Sequence, residues 1–180
     1  MGFRYGFKAE ANRIAISIRK KMGLKPIDPI NPFDICDHFD IGVIKLSSDG
    51  YNTGKLLSED NHVFSATVVP CGGQRAIVYN DSHSQYRQNS SICHELAHCF
   101  LGHECTPPLT KEGERVRDGG IEAEANWLGG TLLLTDEGAL HILKNGFKSN
   151  AQDIYGISKT MLNFRLKVSG AHKRFQRFHY

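Results

Sequence analysis

The pentapeptide His94-Glu95-Leu96-Ala97-His98 has the residue types and the spacing of a catalytic metal site. In a helix, positions four apart lie about 40° apart around the axis and one turn along it, so both imidazoles can reach one ion. Zinc accepts neutral imidazole nitrogen, and a catalytic zinc site needs three protein ligands and a position open for water. Glu95 follows His94 directly, where its carboxylate can act as general base on that water. The motif predicts a zinc-dependent hydrolase with His94 and His98 as metal ligands.

A third ligand must come from elsewhere, and the apolar segment 121–134 offers two acidic candidates. Glu122 and Asn126 stand four apart on one helix face, so Glu122 can bind the metal while Asn126 hydrogen-bonds a ligand histidine. Glu124 is the competitor, but it lies about 200° from Glu122 around the axis and has apolar Leu128 four residues after it. Helical geometry favours Glu122 and leaves Glu124 as the alternative.

The hydrophobic pattern predicts the elements that must position these residues. Segment 84–101 has helical spacing, and Gly102 is expected to close that helix. Residues 121–134 predict a second, strongly apolar helix. The other predicted elements are a helix over 8–22, a short helix around 33–39, strands at 41–46, 63–69 and 75–79, and helices that begin at Thr135 or Asp136 and at Ser158.

This order of elements predicts an α+β fold, in which a small antiparallel sheet packs on a mainly helical part. At 180 residues the chain fits one domain. We expect a single domain over 1–180. Its sheet-containing first part covers about 24–80, its helical part about 83–169, and a basic C-terminal tail 170–180.

Composition excludes several classes of protein. Apolar residues make up 40% and charged residues 23% of the chain, the range of globular domains rather than of disordered segments. The five cysteines are odd in number and form no CxxC pair, so a secreted disulfide scaffold is not expected. The chain shows neither an export signal nor a run of about 18 apolar residues, and we therefore expect a cytoplasmic protein without a membrane segment.

The C-terminal region supports a competing hypothesis of DNA binding. Residues 149–166 contain a turn at Gly156 and a helix start at Ser158, as a helix-turn-helix unit would, and the stretch from Arg165 to Tyr180 is basic without any acidic residue. Against this, the last helix is too apolar for an exposed recognition face, and a net charge of +3 does not by itself imply a polyanion partner. A protein-interaction module that keeps the fold without turnover is a further alternative.

For the oxyanion residue, a fourth metal ligand, the cysteines and the substrate strand, the sequence offers candidates. The residue that stabilises the oxyanion is not identified by the sequence, and a wrong fourth metal ligand is conceivable from His103 or Cys105. Cys93 and Cys99 flank the motif and are interpreted as packing residues. The run VFSATVV is the candidate edge strand for an extended substrate, with a fully paired strand as the alternative. The oxyanion candidates are Tyr79, Tyr86, His103, His141 and Tyr155.

Several long phrases around the motif resemble the ImmA/IrrE-type metallopeptidase family. They are IVYNDSHSQYRQNSSICHELAHCFLGHE, IEAEANWLGGTLLLTDEGAL, ANRIAISIRKKMGLKPIDP and YGISKTMLNFRLKVSGA, which together cover nearly the whole chain. The downstream pattern of that family is met by Glu122, Glu124, Ala125 and Asn126.

The resemblance implies a zincin-like fold and a zinc endopeptidase of the gluzincin type, whose partner is a protein substrate. Members often cleave or inactivate a helix-turn-helix repressor, so a role in transcription regulation is implied as well. One departure stands out: members commonly end the apolar run with Met-Pro or Val-Pro, whereas Leu134 is followed here by Thr135. The exit from that helix is therefore left open.

Overall fold

The computed structural model describes residues 4–48, 64–103 and 119–177. Helices dominate these ranges and surround one small sheet, which confirms the predicted α+β class. The strands are β1 (Gly42–Lys45), β2 (Ala66–Cys71) and β3 (Gln74–Tyr79). The helices are α1 (Phe7–Lys21), α2 (Pro32–His38), α3 (Gln85–Leu101), α4 (Gly119–Leu133), α5 (Asp136–Asn145), α6 (Ala151–Tyr155), α7 (Lys159–Val168) and α8 (Ala171–Gln176).

The sheet has the strand order β1-β3-β2. β2 and β3 form the predicted antiparallel hairpin, and its two turn residues, Gly72 and Gly73, have φ values of +56° and +87°, which tight hairpin turns require. β1, however, pairs with β3 in parallel. The expectation of a wholly antiparallel sheet is therefore wrong. β3 lies between β1 and β2, parallel to β1 and antiparallel to β2, so the sheet is mixed.

A buried core lies where α1, α3 and α4 meet. Ala11 and Ala15 of α1, Leu96 of α3, and Leu128 and Leu132 of α4 are all fully buried. Small residues on α1 allow the helices to approach closely, and the leucines fill the space between them. Because the core uses one face of α3, the other face is left for the polar residues of the motif.

Two buried arginines surround the C-terminal end of α4. Arg19 donates from Nη2 to the carbonyl oxygens of Leu132 (2.9 Å) and Leu133 (3.3 Å), and Arg165 donates from Nε to that of Leu134 (2.9 Å). The last carbonyls of a helix lack partners within it, and cations are favoured at this end of the helix dipole. We call Arg19 and Arg165 the arginine collar. Family members commonly have a proline after the apolar run, where this chain has Thr135. Here α4 ends without that proline, and the collar hydrogen-bonds the carbonyls at its end.

Thr135 then starts the next helix. Its Oγ1 accepts a hydrogen bond from the Gly138 N–H (2.9 Å) and donates one to the Pro26 carbonyl (2.7 Å). Thr135 is one of the two residues predicted at the start of this helix, α5, and it is the N-cap. Ser158 caps α7 in the same way through the Met161 N–H.

Part of the basic C-terminal segment is helical. Residues 171–176 form α8, and Ala171 at its start is fully buried. Arg165, the first of the five Lys and Arg residues between positions 165 and 180, is buried in the arginine collar. Within the described ranges, no helix combines the length and the apolar character that crossing a membrane requires. The extent of the domain and its partition remain predictions.

Candidate metal centre

The two histidines of the motif project from neighbouring turns of α3. Ile92, Cys93, Leu96 and Ala97 are buried on the core side of this helix, so His94 and His98 face the opposite, partly exposed side. Their Nε2 atoms are 3.1 Å apart, and their rings meet edge to face with centroids separated by 4.7 Å. Helical geometry thus brings two metal-binding nitrogens to one point, as predicted.

Glu122, in the first turn of α4, completes the group. Its Oε2 is 3.5 Å from His94 Nε2, and its Oε1 is 3.6 Å from His98 Nε2. One donor atom from each residue lies within 4.8 Å of the others, so this group can hold a metal ion.

Gly129 sets the distance between the two helices that carry these residues. It lies seven residues, or about two turns, after Glu122 and therefore on the same face of α4. A Cβ atom at this position would be 3.0 Å from the His94 backbone nitrogen and 3.1 Å from the Cys93 carbonyl oxygen. Only glycine lets the backbone of α4 approach α3 so closely. The sequence signal was the Gly129-Gly130 pair inside an apolar helix, where glycine otherwise costs stability.

The spacing of the three groups fits zinc. Four tetrahedral ligands at about 2.0–2.2 Å from zinc lie roughly 3.3–3.6 Å from one another. The separations of 3.1, 3.5 and 3.6 Å in the structure are close to that range. Two imidazoles and one carboxylate also form the donor set of a catalytic zinc site with a position open for water.

The alternative third ligand is directed elsewhere. Glu124 forms an ion pair with Arg4, on another side of α4 from Glu122, and does not belong to the group of three. Asn126 is exposed on α4, and its side chain makes no hydrogen bond within the described part of the chain. The suggested hydrogen bond from Asn126 to a ligand histidine therefore remains a prediction.

Glu95 faces the sheet rather than the core. Its Oε2 accepts a hydrogen bond of 3.0 Å from the Val68 backbone N–H in β2. Cys71 and Gln74 flank the hairpin turn and form a hydrogen-bonded pair of the ladder. Such pairs alternate with pairs that are not hydrogen-bonded, so Val68 and Pro70 direct their backbone N and C=O groups away from β3. Pro70 has no N–H, and this position requires none for the ladder. The sequence did not predict the hydrogen bond between Val68 and Glu95. A residue pattern does not show which backbone N–H lies near a side chain that is distant in the chain.

Burial shifts the pKa values of two groups at the centre. The pKa of Glu95 is raised to about 7, chiefly by burial and further by the nearby Glu122 carboxylate, while the Val68 N–H opposes the shift. The pKa of His98 is lowered to about 4, by burial first and then by His94 and His103. His98 is therefore neutral at physiological pH, which is the form that binds metal.

The five candidates for stabilising the oxyanion differ in how they lie relative to the metal centre. Three of them are engaged away from the centre: Tyr155 donates to the Ile27 carbonyl, Tyr86 to Asp153, and His141 contacts Asn145. Tyr79 is buried against Phe33. His103 alone of the five is known to contact a ligand histidine, since its Nδ1 is 2.9 Å from His98 Nδ1.

The predicted cysteine roles are only partly tested. Cys93 is fully buried, as a packing residue would be. Cys105, the other conceivable wrong ligand, lies outside the described residues.

Comparison with known families agrees with this geometry. The sequence model of Peptidase_M78, described as the IrrE N-terminal-like domain, matches residues 36–167, more than half of the chain. The chain belongs to the Peptidase_M78 family. The matched segment contains all three metal-binding candidates and Glu95, and the family confirms the resemblance drawn from the sequence. Membership in Peptidase_M78 supports a metallopeptidase-type function with protein as substrate. A search of curated proteins gave no significant match.

Proposed function

We propose that this Peptidase_M78 protein is a zinc-dependent endopeptidase. The observation that carries the proposal is the convergence of His94, His98 and Glu122 on one point. The Glu95 carboxylate, on the helix of the two histidines, lies close enough to Glu122 for its pKa to be raised by that charge. These three residues would hold the ion. Bound zinc would lower the pKa of a coordinated water and polarise the scissile carbonyl.

Glu95 performs the proton transfers in this proposal. Its carboxylate takes a proton from the attacking water and delivers it to the amine nitrogen that leaves when the peptide bond breaks. The Val68 N–H holds one carboxylate oxygen of Glu95 by its 3.0 Å hydrogen bond. This contact orients the base, and the other oxygen stays available for the proton.

The open edge of β2 is the docking place we propose for the substrate. Among the described strands β2 lies at the edge of the sheet, with β3 as its only neighbour there. An extended peptide that pairs with this edge gains main-chain hydrogen bonds. Because the Val68 N–H on that edge already reaches Glu95, a peptide bound alongside would have its backbone next to the catalytic base.

We further propose a helix-turn-helix regulator as the natural substrate and the cytoplasm as the site of action. This part of the proposal comes from the family resemblance of the sequence, and the geometry supports only the coarser statement that the substrate is a protein. A regulator encoded beside the gene is therefore the first substrate to test.

The substitution Glu95→Gln tests the catalytic assignment. It removes the base but keeps the size of the side chain, so we expect cleavage of the regulator to slow by about 10²–10⁴-fold, the usual contribution of general acid–base catalysis. Fragments are quantified by mass spectrometry, and zinc content is measured on the same samples. The variant should retain its zinc; cleavage at the wild-type rate would remove Glu95 from this role.

DNA binding stays a second candidate because of one surface feature. A cleft of about 460 Å³ is lined by Lys148, Lys167, His172 and Lys173, and no acidic side chain belongs to its described lining. Against DNA binding, Leu162 and Arg165 of the suggested recognition helix are buried, so they cannot reach a duplex.

Salt-dependent retention on duplex DNA tests this second candidate. Binding through phosphate contacts falls steeply with salt, so retention must be visible at about 50 mM salt and decline by about 200 mM. It must also be lost in a Lys167→Glu, Lys173→Glu double variant. Absence of retention of the wild-type protein at the lower salt concentration dismisses DNA binding.

A further inference from the structure

The end of α3 folds a third histidine back onto the metal centre. Gly102 has φ +70°, a left-handed conformation that glycine adopts without strain. The Gly102 N–H donates to the Cys99 carbonyl (3.3 Å), and the His103 N–H donates to the His98 carbonyl (3.0 Å). This is the Schellman arrangement, which brings the residue after the glycine against the residue five positions earlier. His103 is thus placed against His98 by the way the helix ends.

The two ring nitrogens of His98 have different neighbours. Nε2 faces His94 Nε2 (3.1 Å) and Glu122 Oε1 (3.6 Å), whereas Nδ1 is 2.9 Å from His103 Nδ1. His103 therefore lies behind His98 as seen from the metal-binding point. This position excludes His103 as a fourth ligand while His98 binds through Nε2.

A second contact fixes His103 from the sheet. Arg75 in β3 donates from Nη2 to the His103 carbonyl oxygen (3.3 Å). Together with the bond from the His103 N–H to the His98 carbonyl, both backbone groups of His103 are held. Its side chain thus projects from an anchored backbone.

The two Nδ1 atoms of His98 and His103 are within hydrogen-bonding distance, so their tautomers are linked. A neutral imidazole carries one N–H and one lone pair, so a bond between two such nitrogens needs one donor and one acceptor. Metal binding by His98 requires the lone pair at Nε2, which leaves its proton on Nδ1. We infer that His103 is a positioning residue whose Nδ1 accepts a hydrogen bond from the His98 Nδ1–H and so holds His98 as the metal-binding tautomer. The inference rests on the proposed metal site.

Hydrogen-bond partners of ligand histidines commonly change metal affinity by about 10–100-fold when they are removed. His103→Leu removes the acceptor and keeps an apolar side chain of similar bulk, so zinc affinity should fall by that factor. His103→Asn places its Oδ1 near the position of the lost Nδ1 and should recover most of the affinity. His103→Gln sets the acceptor one carbon further out and serves as the matched control, with less recovery.

The experiment has two readouts on the same four proteins. Zinc affinity is measured by competition with a chromophoric chelator. The histidine tautomers are measured by long-range ¹H–¹⁵N correlation on chelator-treated protein, so this readout does not depend on loaded enzyme. We expect His98 protonated at Nδ1 in the wild type and in His103→Asn, and a shift towards the Nε2–H form in His103→Leu.

Two results would overturn the inference: His98 protonated at Nε2 in the wild-type protein, or equal zinc affinity in the wild type and His103→Leu. If His103→Leu does not fold, the comparison of the Asn and Gln variants decides the question, because equal affinities in those two contradict it. A wild-type protein that binds no zinc overturns the proposed function instead, and the tautomer spectrum still decides whether His98 and His103 are paired as inferred.

Discussion

The two ends of α4 satisfy their polar groups in opposite ways. At the C-terminal end the arginine collar donates to the carbonyls of Leu132, Leu133 and Leu134, and Arg165 also pairs with Asp136 at 2.7 Å. At the N-terminal end Glu122 meets two imidazole nitrogens at 3.5 and 3.6 Å. The C-terminal end therefore pairs hydrogen-bond donors with acceptors, whereas the N-terminal end places a carboxylate close to two imidazole nitrogens.

This difference shows which end is built for stability and which for function. A donor that meets a carbonyl lowers the cost of burying both groups. A carboxylate and two lone-pair nitrogens at such distances repel unless a proton or a cation lies among them. The protein itself supplies the donors that the carbonyls of the collar need, although Arg165 Nη1 has no partner within the described residues. The N-terminal cluster needs a proton or a cation to offset the repulsion among its acceptors.

The largest expected effect is the loss of zinc affinity in Glu122→Ala. Protein zinc sites bind with about 10–16 kcal/mol, so one of three or four ligands contributes about 3–4 kcal/mol, or roughly 10²–10³-fold in affinity. The unfolding free energy of the chelator-treated protein should stay within about 0.5 kcal/mol of wild type, the usual range for partly exposed positions. Chelator competition and urea unfolding measure the two quantities.

Glu124→Ala is the matched control, because it removes a carboxylate from the same helix two residues away. It breaks only the ion pair with Arg4 and should bind zinc as the wild type does. Equal losses in the two variants would contradict the assignment of Glu122 as the third ligand.

Arg19→Met should show the reverse pattern, with lower stability and unchanged zinc affinity. Arg19 is fully buried, and its loss leaves the Leu132 and Leu133 carbonyls without their donor. We expect a loss of about 2–4 kcal/mol, measured by urea unfolding. Arg13→Met, at an exposed position of the same helix, should change stability by less than about 0.5 kcal/mol. A tenfold loss of zinc affinity in Arg19→Met would show that the two ends are not independent.

Thr135→Ala gives the smallest effect of the series. The substitution removes the N-cap of α5 and the hydrogen bond to the Pro26 carbonyl. Caps contribute about 0.5–2 kcal/mol, and we expect a loss in that range by thermal unfolding. The control Thr160→Ala, at an exposed position of α7, should change stability by less than about 0.5 kcal/mol. Equal losses of stability in both variants would show that the Thr135 cap is not the cause.

Local pattern was enough to predict much of this molecule. Helical spacing over 84–101 gave α3, and positions four apart gave the convergence of His94 and His98. The four-residue interval from Glu122 to Asn126 selected the acidic residue that the structure brings to them. Each of these inferences depends only on the period of one helix.

The features that the sequence did not predict are contacts between residues far apart in the chain. The parallel pairing of β1 with β3 joins two strands that are separated in the chain, and the contact of Val68 with Glu95 joins the sheet to α3. The collar joins Arg19 to residues more than a hundred positions later. Such contacts are set by tertiary packing, which residue spacing within one element does not encode.

Metal content most directly tests the central claim that His94, His98 and Glu122 form one zinc site. Wild-type protein, His94→Ala and the control His141→Ala are loaded with zinc, desalted and measured by inductively coupled plasma mass spectrometry. A site formed by these three residues should give a single zinc ion per chain in the wild type and in His141→Ala, and far less in His94→Ala. Equal zinc in all three proteins, or none in the wild type, would contradict it.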